Sequence, residues 1–92
     1  MDQKQAEIRA LSVLSWLVGN EELLPVFLNA TGADETDLRL RAAESVFLGS
    51  VLDFLMLDDA WVMEYCDGEG LPYETPMRAR QNLPGGADVS WT

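Results

Sequence analysis

Apolar residues along this chain recur at three- and four-residue spacing, and no β-branched or aromatic run alternates with polar residues over a usable length. That period specifies an all-α fold, a compact bundle of five or six short helices. Ala6, Ala10, Val13, Leu14 and Leu17 share one face of the first segment, with Trp16 at its edge and Gly19 as a stop. Asn20 is placed to cap a second helix, Glu21 and Glu22 sit near its positive end, and Pro25 means that either the first turn is irregular or the helix proper begins near Leu24. Thr31-Gly32 ends it. Asp34 is expected to cap a short third helix, in which Glu35 faces Arg39 and Asp37 faces Arg41 at four-residue spacing.

A fourth helix is expected over about 44 to 57. Phe47, Leu48, Val51, Leu52, Phe54 and Leu55 form its broad apolar face, and Asp53 lies opposite, in water. Asp58 is the expected cap of a fifth helix from 59 to about 66, stopped by Gly68 and Gly70, and Asp59 favours its positive end. A sixth is expected from about 73 to 82, with prolines confined to its first turn and just past its end. Residues 1–84 thus read as one domain and 85–92 as a flexible tail, whose Trp91 is able to dock on the domain.

The chain also echoes itself. SVLSWLVGNEELLPVFLNATG, from Ser12, and SVLDFLMLDDAWVMEYCDGEG, from Ser50, align at a constant 38-residue offset. Trp16 then matches Phe54, Asn20 matches Asp58, Phe27 matches Tyr65 and Gly32 matches Gly70; with one inserted residue, Arg39 and Arg41 match Arg78 and Arg80. Shared leucine spacing is common to any two amphipathic helix pairs, but matched caps, glycine stops and Arg-x-Arg pairs are not required by helical period. The expectation is two related helical units, 12–41 and 50–80, packed face to face.

Charge narrows the function classes. Sixteen acids against six bases and no histidine give a net charge of −10, which opposes binding to nucleic acid phosphates or an anionic membrane. Without histidine, Ser-His-Asp, Cys-His and histidine-metal sites are absent. Cys66 stands alone between Glu64 and Asp67, acids that favour a neutral, structural thiol. The carboxylates Asp58, Asp59, Glu64, Asp67 and Glu69 lack the spacing of a calcium loop and read as caps and a solvated face. The start of the sequence has no secretory pattern and no apolar run reaches membrane length, so a cytoplasmic location is expected.

The series SWLVGNEELLPVFLNATG, DLRLRAA, FLGSVLDFLMLDD and GLPYETPMRARQNLPGG, over about residues 10 to 86, resembles a family of short acidic bacterial helical proteins catalogued only as a domain of unknown function. The resemblance implies a small helical cytoplasmic protein. It brings no activity and no catalytic residues.

What remains is a non-enzymatic interaction or regulatory module, without catalytic, metal or cofactor residues, docking a basic or apolar partner surface as a monomer or weak homodimer. Asp58, Asp59, Trp61, Met63 and Tyr65 are the candidate partner face. Arg39, Arg41, Arg78 and Arg80 are candidates for an anion site or for structural ion pairs, the latter favoured by acids four residues before all but Arg80. Two other classes stand beside this one: an acidic imitation of nucleic acid that inhibits a basic protein, and a carboxylate-only metal enzyme.

Overall fold

The computed structural model describes residues 1–85. Six helices occupy them: α1 (Gln3–Val18), α2 (Leu23–Thr31), α3 (Leu38–Arg41), α4 (Ser45–Leu55), α5 (Asp59–Glu69) and α6 (Thr75–Gln81). The expectations for the tail and for Trp91 lie outside the described residues. No helix among those described is long and apolar enough to cross a membrane.

Local chemistry starts and stops the helices. Asp2 and Gln5 form a reciprocal capping box at α1, the Asp2 carboxylate accepting from the Gln5 amide at 2.8 Å. Asn20 Oδ1 accepts from the amides of Glu22 and Leu23, both at 3.1 Å, and Asp58 Oδ1 accepts from Ala60 N at 2.8 Å. α2 and α5 both end on a left-handed glycine, Gly32 (φ 72°) and Gly70 (φ 69°), a backbone region that costs a residue with a Cβ. Gly68 stops nothing: α5 runs through it to Glu69.

α3 departs from expectation. Asp34 does not cap it; its carboxylate accepts from Thr36 Oγ1 at 2.6 Å and Asp37 N at 3.0 Å, tying a turn before a helix of four residues. The Thr36 hydrogen bond, then that of the Asp37 amide, hold the Asp34 carboxyl below its ordinary pKa.

The core is built from the stripes that period assigned. Ala6, Ala10, Val13, Leu14 and Leu17 of α1 are buried, and α4 buries all six expected residues plus Gly49. α1 packs on α4, and α6 closes over both, inserting Thr75, Pro76 and Ala79. Each fully buried large side chain, Phe27, Tyr65 and Leu52 among them, contributes about 1.5–3 kcal/mol relative to exposure.

Contacts across the core follow the 38-residue offset. Trp16 meets Tyr65 edge to face, with ring centroids 5.8 Å apart and planes at 77°. Phe54 and Phe27, the matching residues with units exchanged, meet at 5.2 Å and 73°. Ser45 Oγ donates to Glu7 Oε2 at 2.7 Å, and these two residues also occupy matching positions.

Candidate functional site

α1 carries a second apolar stripe that the core does not use. Ile8, Leu11 and Val18 are 59%, 40% and 49% exposed, and with Ser15 they project roughly opposite the buried stripe. Between this stripe and α3 runs an open groove of about 390 Å³, floored by Leu14 and Leu38 and edged by Leu11, Val18, Arg39 and Ala42. A separate hollow of about 420 Å³ among Met1, Gln5, Ile8 and Arg9 lies along the same helix. Scattered surface leucines are ordinary; a stripe along one helix that borders a groove is the pattern of a contact surface.

α4 presents the equivalent stripe, shifted by 38 residues: Val46, Gly49, Asp53 and Met56. Here the middle is covered. Arg80, from α6, donates its Nε to Asp53 Oδ1 at 2.7 Å and its Nη1 to the Pro84 carbonyl at 3.0 Å. A Cβ placed on Gly49 would stand 3.0 Å from Nη1, so the guanidinium lies against a seat that a glycine leaves open.

Ion pairing therefore inverts the expectation from sequence. Glu35–Arg39, Asp37–Arg41 and Glu74–Arg78 form no salt bridge among the described residues, whereas Arg80, which lacks an acid at helical spacing, makes the shorter of the two that are present. α3 begins only at Leu38 and α6 only at Thr75, so Glu35, Asp37 and Glu74 precede the helices on which the spacing would place them. Arg41 instead sits over the Phe47 ring, 5.3 Å from its centroid. The four arginines do not gather into one anion site: Arg39 edges the α1–α3 groove, Arg41 covers Phe47, Arg78 is exposed on α6 and Arg80 is locked on α4.

The face expected on α5 is not continuous. Tyr65 is fully buried, because its ring lies against Trp16 and its hydroxyl is held by Ser12 Oγ at 2.7 Å and Arg9 Nη1 at 3.1 Å. Trp61 is half-buried and stacked on Phe54 at 5.0 Å. Asp58, Asp59 and Met63 remain exposed. The Arg9–Tyr65–Ser12 cluster was invisible in sequence, since Tyr65 lies more than 50 residues from both Arg9 and Ser12. Glu69 extends it weakly, 4.0 Å from Arg9.

Reactive chemistry is sparse. Cys66 is buried, and that burial, reinforced by the Asp67 carboxylate and only partly offset by Arg9, raises its thiol pKa and keeps it protonated. Tyr73 donates to Asp67 Oδ1 at 2.7 Å, which raises its phenol pKa. Among the described residues no three carboxylates or thiols converge to hold a metal ion.

A protein-family profile matches residues 3–86, spanning all six helices and both outer stripes. The chain belongs to the family described as Protein of unknown function (DUF3572). No curated protein and no solved structure matches it significantly. Membership in DUF3572 carries no activity with it, so any role for a residue rests on the geometry above.

Proposed function

We propose that this DUF3572 protein is a non-enzymatic docking module whose contact surface is the outer stripe of α1 with the groove beside α3. The observation that carries the reading is that α1 has two apolar stripes and the fold buries one. Ile8, Leu11 and Val18 cost solubility where they stand and contribute nothing to the core. The absence of histidine and the protonated, buried Cys66 fit a role in binding rather than covalent chemistry.

Site-specific photocrosslinking in the native cell tests this. A photoreactive phenylalanine analogue at position 11 or 18 should give the same discrete protein adduct, and one at Asp59, on α5, should give none. Failure to form an adduct from either α1 position, with the protein expressed and folded, overturns the reading. An adduct from Asp59 alone returns the contact surface to α5.

A further inference from the structure

We propose, building on that docking surface, that the occupant of the α1–α3 groove is an acidic amphipathic helix of a partner protein, its apolar side chains on Leu11 and Val18 and its carboxylates toward Lys4 and Arg39. Two observations carry this. The first is charge segregation. α1 and α3 together hold Lys4, Arg9, Arg39 and Arg41, four of the six bases, and one of the sixteen acids, Glu7. Asp2 caps α1 and Asp37 precedes α3, but the groove itself is edged by Arg39, and Lys4 projects along the Ile8–Leu11–Ser15–Val18 stripe. Neither Lys4 nor Arg39 has a salt-bridge partner among the described residues.

The second is the matched position on α4. There the middle of the stripe is covered, by the arginine of a following helix that pairs with Asp53 over Gly49, while Val46 at its end stays exposed. On α1 the corresponding residues are Ser15 and Leu11, which offer no carboxylate and fill the seat. The first unit thus lacks its internal cover. What completes it must present apolar side chains to Leu11, and negative charge to the bases at the edge. From Ile8 to Val18 the stripe extends ~15 Å, the length of about three helical turns.

A second copy fits this surface poorly, because a two-fold contact through it sets Lys4 and Arg39 against their own likes. The net charge of −10 opposes an acidic partner at long range. At physiological salt, however, the Debye length of about 8 Å is far below the 23 Å shortest dimension of the molecule, so the local face governs the docked state.

The test uses the full chain and two fluorescent peptides of about 15 residues, both alanine-based with one leucine stripe, flanked by glutamates in one and lysines in the other. Fluorescence anisotropy should show the glutamate peptide binding at least ~10-fold more tightly at physiological salt, a gap of about 1.4 kcal/mol. Leu11→Glu should abolish that binding, and Leu11→Ser should weaken it, both with unchanged helical circular dichroism. Lys4→Glu with Arg39→Glu should reverse the preference toward the lysine peptide. Equal binding of the peptides, preference for lysine, or binding insensitive to Leu11 overturns the acidic partner. A concentration-dependent dimer in sedimentation that Leu11→Glu dissolves overturns it in favour of a second copy. No peptide binding also overturns it, while crosslinking from position 11 decides separately whether the surface docks any protein.

Discussion

α1 and α4 match across 38 residues and bury matching stripes, yet their outer faces are treated in opposite ways. On α4, Gly49 leaves a seat and Asp53 supplies a carboxylate, so Arg80 lies down over the middle of the stripe and leaves Val46 exposed. On α1, Leu11 fills the seat and Ser15 carries no charge, and Arg41, the counterpart of Arg80, turns to the Phe47 ring. Two residues thus separate a helix face whose middle the fold covers from one whose middle it leaves open. The buried faces do not differ in this way: Val13 and Val51, and Leu17 and Leu55, are all fully buried, as are Phe27 of α2 and Tyr65 of α5.

That contrast breaks first, and at greatest cost, in the core. Phe27→Ala and Tyr65→Ala remove the exchange-related partners of Phe54 and Trp16, and each should destabilise by about 3–5 kcal/mol in urea denaturation. The two losses should agree to within about 1 kcal/mol if the units are equivalent inside. A much smaller loss for either residue would mean that the matched aromatics do unequal work.

The outer stripes should respond unequally. Gly49→Leu gives α4 the residue that α1 has, and it should dislodge Arg80 and cost about 1–3 kcal/mol. Leu11→Ser, at the matching place, should change stability by no more than about 0.5 kcal/mol. A smaller step separates the seat from its occupant. In an Arg80→Ala background, Gly49→Ala should gain about 0.5–1 kcal/mol of helix propensity, and in the presence of Arg80 it should gain less, because the new Cβ presses on the guanidinium.

Sequence revealed the parts of this comparison that are local and hid the parts that are not. Helical period placed every core residue of α1 and α4 except Gly49, which is buried because a distant arginine covers it. Asp58 was legible as a cap and Gly32 as a stop, since each acts within a few residues; Asn20, expected as a cap, instead ties the turn before α2, whose N-cap is Glu22. Ion pairs were misread for the same reason: spacing proposes partners four residues away, while Arg80 found Asp53 at a separation of 27. Tyr65 looked like a surface aromatic beside acids, and only the tertiary fold shows that Ser12 and Arg9 satisfy its hydroxyl inside. The α1 groove was missed because Leu11 and Val18 flank a helix already supplied with a sufficient core stripe.

The smallest expected effect concerns the point where Glu7 of α1 and Ser45 of α4, 38 residues apart, touch. Ser45 donates to Glu7 at 2.7 Å, Gln3 Nε2 donates to the same oxygen at 3.2 Å, and the Ser45 bond is the leading cause that holds the Glu7 carboxyl below its ordinary pKa. A carboxyl with a lowered folded pKa stabilises the fold above its unfolded value and loses that contribution as pH falls through the folded one. Ser45→Ala should therefore lower stability at neutral pH, and the gap from wild type should narrow on acidification below the ordinary glutamate range. Paired urea melts at neutral and acidic pH measure it. A gap that is independent of pH would show that Ser45 acts by packing between α1 and α4 and not through the charge on Glu7.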